Sequence, residues 1–488
     1  MRLVDLAAAL PGVELAAAAR DVEVSRVELD SRRVRPGDVF VAVRGAKSDG
    51  AAHAADAISR GAVAVVSDRP PSAGVDPGVP WVRVPLPRRA AGRLAARLNG
   101  DPADKLVLAG VTGTNGKTST ATLLSAILEA RYGAAGFIGT TGYRLRNREI
   151  EADRTTPEAP VIQELLAELV ADGVPAAAME VSSHALTLER AEGCRFDVAV
   201  FTNLTRDHLD FHRDMESYFG AKRRLLDYRK PGASAVVNAD DPYGRRLLAE
   251  APPVVGFSPS GAAADFRAAS ASCDITGTVV EVAHERGAFR LQSPLLGRFQ
   301  VSNLLGAAAA AVRLGIDPST IASAVAGVGN VAGRLERVDA GQPYPILVDY
   351  AHTPDALERL LAAVRELTDR KIILVFGCGG DRDRGKRAPM GEIAGRMADI
   401  AIATSDNPRS EDPDAILRDV EVGLAASGAT KYLKIADRRE AIRSAIELSN
   451  PGTVVVIAGK GHETTQVIGT SEMPFDDRKV AAELASRA

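Results

Sequence analysis

From about residue 334 onward, short apolar runs alternate with stretches in which apolar residues recur every three to four positions. PILVDY (345–350), KIILVF (371–376), DIAIATS (399–405) and TVVVIAG (453–459) read as strands. The periodicity between them predicts helices over 354–368, 386–397, about 413–426 and 437–449. Strands that are apolar along their whole length need cover on both faces, and parallel crossovers through helices supply it. The expectation is a Rossmann-like, doubly wound domain. In such sheets ligands bind at the carboxyl ends of strands, and the polar residues here collect at those ends: 349–352, 377–387, 406–409 and 459–463.

The pattern before this region differs. The first hundred residues alternate short strands and turns (VSRVELDSR, RPGDVFVAVRG, AVAVVSD, WVRVP) around a helix at HAADAISRG. A Pro/Gly-rich stretch at 69–80 reads as a loop, because strand character resumes after it. The helix in LPRRAAGRLAARLNG ends at Gly100, and Asp101-Pro102 marks a boundary. Beyond it, LVLAGV (106–111), AAAMEV (176–181) and FDVAVFTNL (196–204) read as strands, with helices over 118–130, 215–229 and 303–315. At 488 residues the chain exceeds one core, and domains of ordinary size divide it into about three. The expected divisions are 1–100, 101–333 and 334–488. The expected fold is α/β, with a mainly parallel sheet in the central domain.

Composition adds mainly exclusions. A net charge of −3 and the lack of any long basic run give no reason to expect nucleic acid. The longest apolar stretches, such as LLGAAAAAV (304–312), fall short of the ~20 residues of a membrane span. Asp5, Pro11 and Glu14 interrupt the apolar N-terminus and argue against a signal peptide. Cys194, Cys273 and Cys378 lie far apart without metal-type spacing. They read as packing residues of a protein in the reducing cytoplasm.

Candidate chemistry begins at GVTGTNGKTST (110–120). The strict phosphate-loop pattern wants glycine where Val111 stands. The mechanics survive, because Gly113 and Gly116 let backbone N–H groups turn inward between a strand and a helix N-terminus. Thr114, Asn115 and Ser119 complete the loop, with Lys117 to hold terminal phosphates and Thr118 to ligate Mg²⁺. The plain alternative is a flexible turn with an exposed lysine. Glu180 closes the strand in AMEVSSH, where a carboxylate could complete a Mg²⁺ shell or simply sit buried and hydrogen-bonded. TNLTRDHLDFH (202–212) crowds Asp207, His208, Asp210 and His212 together, as a metal- or phosphate-handling segment or as a polar loop with capping aspartates. Lys222, in MESYFGAKRRLLDY, has spacing that predicts no more than a surface or salt-bridge lysine. GGDRDRGKR (379–387) follows a strand and carries arginines suited to carboxylate or phosphate recognition. SDNPRSEDP (405–413) is equally readable as a turn.

Taken together, these segments resemble the Mur ligases, ATP-dependent enzymes that add amino acids to the peptidoglycan precursor. The resemblance runs through DSRRVRPGDVFVA, GVTGTNGKT, MEVSSH, FTNLTRDHLDFH, VVNADD, VSNLLGA, GRLE, DYAHTPDAL, FGCGGDRDRGKR, SDNPR and AGKGHE. The DNPR and GDRDRGKR contexts resemble the member that adds meso-2,6-diaminopimelate to UDP-N-acetylmuramoyl-L-alanyl-D-glutamate. That implies phosphoryl transfer from ATP to the D-glutamyl carboxylate, attack of an amine on the acyl phosphate, and Mg²⁺ as cofactor. It also implies small-molecule partners only, with the enzyme acting as a monomer in the cytoplasm.

The resemblance assigns Leu29, Ser31, Ala46, Lys47 and Ser48 to the uridine nucleotide. Thr155, Thr156, Ser182 and Arg190 go to the sugar-peptide part. It makes Glu180 and His208 Mg²⁺ ligands and Lys222 a carbamylated lysine ligating a second Mg²⁺, which spacing alone does not suggest. Asn303, Arg334, Asp349 and His352 go to the ATP site. Arg382, Asp406, Asn407, Pro408, Arg409, Gly459 and Glu463 go to the diaminopimelate pocket. Two positions depart from the family pattern: Leu188 replaces a frequent Gln, and Arg154 replaces an Asn before the Thr pair. The alternatives are a sibling ligase adding L-lysine, a folylpolyglutamate synthase, and a nucleotide-gated regulatory module without turnover.

Overall fold

The structure, a computed structural model, describes residues 1–10, 13, 19, 21–45, 49–71, 75–76, 78–250, 253–329 and 335–487. The chain forms two compact units. One comprises Met1–Ala268, Val282–Phe289 and Ser302–Val325; the other comprises Ala269–Glu281, Arg290–Val301 and Ala326–Ala488.

In the first unit, Arg26–Glu28, Asp38–Val41, Ala64–Ser67 and Trp81–Arg83 form a four-stranded sheet in sequential order, all pairs parallel. Helix Pro87–Leu98 covers it with Ala90, Ala91, Leu94 and Ala95. A second sheet is built around Val107–Thr112, which pairs in parallel with Ala176–Glu180 on one side and Phe196–Phe201 on the other. Val111 lies opposite Glu180, and Thr112 lies opposite Phe201. This register puts the carboxyl ends of three strands side by side, so the segments that follow them must meet. Leu108, Ile138, Leu166, Met179, Phe196 and Phe201 form the core beneath.

The second unit's sheet runs in the order Glu336–Val338, Ile346–Asp349, Thr453–Ala458, Lys371–Cys378, Ile400–Ser405, Tyr432–Lys434. Every neighbouring pair is parallel except the first. Side chains alternate between two cores: Leu347, Leu374 and Phe376 pack on one face, and Ile346, Val348, Ile373 and Val375 on the other. That is the doubly wound arrangement expected from the apolar runs. Two short edge strands were not legible in the pattern. Tyr432–Lys434 and Glu336–Val338 have three residues each, too few to show a period.

Elsewhere the boundaries move by a turn or less. The helix expected at 215–229 is α-helical over Met215–Arg223 and then tightens to a 3₁₀ segment at Arg224–Tyr228. The helix expected from 303 begins at Phe299. Four strands between Val254 and Ser293 were not anticipated. Among the described residues no helix is long and apolar enough to cross a membrane, and all three cysteines are free.

Candidate active site

The loop after Val107–Thr112 turns through two left-handed glycines, Gly113 (φ +149°) and Gly116 (φ +83°). A Cβ on Gly113 would strike Thr202 Oγ1, and one on Gly116 would strike Asn303 Oδ1, so neither position admits a side chain. Residues 202–205 clamp the loop: Thr202 Oγ1 donates to the Asn115 carbonyl at 2.6 Å, and Asn115 N donates to Asn203 Oδ1 at 3.0 Å. Thr114 Oγ1 donates to the Thr205 carbonyl at 3.2 Å. Lys117 Nζ curls over the loop to the carbonyls of Gly113 and Thr114, both at 2.9 Å. Asn303 packs beside the loop and accepts from Thr120 Oγ1 at 3.4 Å.

Glu180 ends the adjacent strand, fully buried. Its Oε2 accepts from Thr118 Oγ1 at 3.0 Å and from Thr140 Oγ1 at 3.2 Å, and its Oε1 accepts from Thr140 N at 2.8 Å. Burial raises the pKa of this carboxyl, while Lys117 and the three donors act to lower it. Thr118 and Glu180 thus present hydroxyl and carboxylate oxygens about one metal shell apart, the hard donor set that suits Mg²⁺. Among the described residues no group of three or more His, Cys, Asp or Glu forms a metal cluster by itself. Any cation here would take further ligands from phosphate oxygens and water, as Mg²⁺ commonly does.

Lys222 is where the plain reading fails. It is not a surface lysine: it is 1% exposed, and its Nζ donates to the Gly113 carbonyl at 2.7 Å and lies 4.7 Å from the Tyr218 ring centroid. Four residues separate Tyr218 from Lys222, so both share the buried face of Met215–Arg223. Burial drives its pKa well below the usual lysine value, and Lys117 adds to that shift. Tyr218 OH and Thr114 Oγ1 are 3.1 Å apart, tying this helix to the loop.

His208 is half exposed in a left-handed conformation (φ 52°), with Nε2 3.4 Å from Asp207 Oδ2. Its ring stands edge-on to His184, centroids 4.8 Å apart. His212 is buried, its Nε2 2.9 Å from Ser183 Oγ.

Four residues assigned to the sugar-peptide part gather around the end of the Glu180 strand. Thr155 Oγ1 lies 3.0 Å from Thr140 Oγ1, and Thr156 Oγ1 donates to the Glu180 carbonyl at 2.9 Å and accepts from Ser182 N at 3.1 Å. Arg190 reaches the Thr156 carbonyl at 3.2 Å and Glu158 at 3.1 Å. Arg154, a departure from the family pattern, also pairs with Glu158, at 2.7 Å. Leu188 ends the short helix that Ser182 caps. Leu29 N donates to Glu28 Oε1 at 2.8 Å, and the buried Ser31 opens a turn capped by Asp30. Ala46, Lys47, Ser48 and Arg334 lie outside the described residues.

In the second unit, Asp349 ends its strand and accepts from Leu335 N and Ala351 N at 2.8 and 2.9 Å. His352 Nδ1 lies 2.9 Å from the Tyr350 carbonyl. The segments after Cys378, Ser405 and Ala458 meet: Gly380 N donates to the Asn407 carbonyl at 2.9 Å, and Lys460 Nζ donates to Asn407 Oδ1 at 3.1 Å. Asp406 and Asn407 are buried, and Pro408 is buried beside them. Asn407 Nδ2 donates to Glu463 Oε2 at 3.1 Å, and its Oδ1 accepts from Val467 N at 3.0 Å. Arg409 is left-handed (φ 51°), and its Nη1 donates to the Gly380 carbonyl at 2.9 Å. Gly459 also has positive φ, and Arg382 is exposed.

Several contributors escaped sequence reasoning. Thr140 holds Glu180, yet it lies in an undistinguished turn. Lys460 stands inside AGKGHE, so the motif itself was the signal. Arg387 and Glu411 join the two arginine-bearing loops: Nη2 meets both Glu411 oxygens, at 2.9 and 3.0 Å. Arg438, fully buried, pairs with Asp477 at 2.7 and 2.6 Å and donates to the carbonyls of Ser405 and Ala458 at 3.3 and 3.1 Å. It thereby fixes the ends of two pocket strands from behind. Nothing in its helix pattern marked it.

The three Mur ligase family descriptions match in chain order: "Mur ligase family, catalytic domain" over residues 23–98, "Mur ligase middle domain" over 111–311, and "Mur ligase, glutamate ligase domain" over 333–461. A relative from Geobacter metallireducens named UDP-N-acetylmuramoyl-L-alanyl-D-glutamate–2,6-diaminopimelate ligase is 45% identical, covering 99% of this chain and 98% of its own length. A protein of the same name from Streptomyces avermitilis is 47% identical, covering 95% and 93%. A solved structure of a ligase with that name superimposes with a TM-score of 0.77 at 33% identity, covering 100% of this chain and 99% of that one. The Mycobacterium tuberculosis folylpolyglutamate synthase complexed with ADP shares the fold at 21% identity, with a TM-score of 0.59, covering 77% of this chain and 91% of that one.

Proposed function

This chain belongs to the Mur ligase family, and from that premise we propose that it joins meso-2,6-diaminopimelate to the D-glutamyl residue of UDP-N-acetylmuramoyl-L-alanyl-D-glutamate, converting ATP to ADP and phosphate. The observation that carries the choice of amino acid is one cluster of strand-end residues in the second unit. It holds a carboxylate, Glu463, oriented by Asn407, and a guanidinium, Arg409, oriented by the Gly380 carbonyl. Diaminopimelate ends in an ammonium and a carboxylate, where lysine has the ammonium alone. Arg409 can grip the carboxylate and Glu463 the ammonium. Full-length relatives named for this reaction support the same choice.

In this reading residues 1–100 bind the uridine nucleotide through Leu29, Ser31, Ala46, Lys47 and Ser48. Residues 101–333 bind ATP, and 334–488 bind the incoming amino acid through the pocket and through Arg382, Asp406, Pro408 and Gly459. The inward N–H groups of 113–119 cradle the phosphates, and Lys117 leaves its two carbonyl partners to meet the transferring phosphoryl group. Asn303, beside the loop, contacts the nucleotide. Thr155, Thr156, Ser182 and Arg190 orient the peptide so that its D-glutamyl carboxylate attacks the γ-phosphorus in line. The amine then displaces phosphate from the acyl phosphate and loses a proton as the amide forms.

Thr118, Glu180 and His208 would hold Mg²⁺, with Lys222 as its carbamate at a second ion, and the metal would neutralise charge on the phosphoryl oxygens. The depressed pKa of Lys222 supports the carbamate. An uncharged amine attacks CO₂, forms the N–C bond and releases one proton. The free thiols are in keeping with a cytoplasmic location.

The test is an amino-acid panel with mass detection of the UDP-linked product and a parallel phosphate assay. The reading expects phosphate release only when UDP-dipeptide and diaminopimelate are both present. Phosphate release without either substrate, or product with lysine alone, overturns it.

A further inference from the structure

Lys460 has no exposed surface, yet its ammonium stands at the centre of the acidic side of the amino-acid pocket. Nζ lies 3.1 Å from Asn407 Oδ1, 3.1 Å from Glu463 Oε2 and 3.8 Å from Asp406 Oδ1. Asn407 Nδ2 donates to the same Glu463 oxygen at 3.1 Å. One oxygen of Glu463 therefore holds two donors, and the other takes no hydrogen bond among the described residues. The Glu463 side chain keeps 34% of its surface exposed. Asp406 Oδ1 is buried without any hydrogen-bond partner. A buried, unsatisfied carboxylate oxygen is costly unless something binds it.

The charges close on a simple sum. Asp406 and Glu463 carry two negative charges and Lys460 one positive. Arg438 and Asp477, which also face Asp406, cancel each other as a bidentate pair. On the side of the site away from Arg409, one negative charge remains, the complement of one ammonium group. Burial raises the pKa of the Asp406 carboxyl, and Arg438 and Lys460 act to lower it. Lys460 cannot touch a ligand itself, because the residues it organises cover it.

We propose that Lys460 is a specificity-determining positioning residue: it aims Glu463, orders Asn407 and offsets one of the two carboxylate charges beside it, so that the site selects an amino acid carrying a second ammonium group. This rests on reading the pocket as the amino-acid site. It adds a residue that acts through Glu463 and Asn407 rather than on the substrate.

The experiment compares steady-state kinetics of the full-length parent, Lys460→Met and Lys460→Arg, with thermal melts to establish folding. Lys460→Met keeps the length of the side chain and removes its charge. It should raise KM for diaminopimelate at least about 10-fold while KM for ATP and for the UDP-dipeptide stays within about twofold. Lys460→Arg keeps the charge and loses part of the fit, so its KM for diaminopimelate should rise less than that of Lys460→Met. If Lys460→Met fails to melt cooperatively, the Lys460→Arg comparison decides alone. An unchanged amino-acid KM in the folded variants, or equal rises for all three substrates, overturns the proposal. A parent enzyme that uses a different amino acid overturns the substrate reading instead, and the same KM comparison made with that amino acid still decides the role of Lys460.

Discussion

Lys117 and Lys222 donate to one acceptor, the carbonyl oxygen of Gly113, at 2.9 and 2.7 Å. Burial drives the pKa of Lys222 well below the ordinary lysine range, and repulsion from Lys117 on the same oxygen adds to the shift. Carbamylation would reverse the sign at Lys222 and turn that repulsion into attraction.

Lys222→Met should therefore separate function from stability. Burying a methyl thioether in place of an ammonium should leave the melting temperature at or above that of the parent without bicarbonate. Ligation should fall by a factor on the order of 10² or more. Labelling with ¹³C-bicarbonate should give a carbamate signal in the parent that the variant lacks. A parent without that signal under turnover conditions contradicts the assignment.

Lys117→Ala should lower kcat on the order of 10²-fold or more, because a cation facing the transferring phosphoryl group acts mainly on the transition state. The Kd for the UDP-dipeptide, measured by calorimetry, should stay nearly unchanged. Full turnover in this variant would remove residues 113–119 from the ATP site.

Glu411 predicts a pH dependence. The Arg387 guanidinium holds its carboxyl down to about 2 from 4.5. A carboxyl with a lowered folded pKa contributes stability that is present above about 4.5 and lost as pH falls towards 2. Glu411→Gln should melt lower than the parent at neutral pH and decline less steeply across that acid window. Parallel melting curves for the two proteins would show that the contact contributes nothing.

Arg438 and Asp477 are each buried completely. Removing one partner strands a charge, so Arg438→Met should cost about 3–5 kcal/mol, read by urea unfolding. Arg438→Met with Asp477→Leu should recover most of that loss. The double variant should still bind diaminopimelate more weakly than the parent, because the Ser405 and Ala458 carbonyls lose their common donor.

Much of this arrangement could be read from residue order. The doubly wound sheet followed from strands apolar on both faces, and the tight loop at 113–116 from two glycines between a strand and a helix. Most of what escaped had no local signature. Lys222 looks like any amphipathic-helix lysine, because its burial depends on how Tyr218 and the loop carbonyl of Gly113 come together across the fold. Arg438 does its work on strands that end 33 and 20 residues away in sequence. Edge strands of three residues are set by pairing with a neighbour, which no window of sequence contains.

The most direct test of the account compares kcat/KM for meso-diaminopimelate and L-lysine in the parent and in Arg409→Ala. Lysine leaves the Arg409 guanidinium without its anion, at a cost of about 2–4 kcal/mol, so the parent should prefer diaminopimelate by at least about 10²-fold. Arg409→Ala should lose most diaminopimelate activity and narrow the gap, since the substitution removes the penalty together with the contact. A parent that uses both amino acids equally, or a variant that keeps the full preference, would contradict the account.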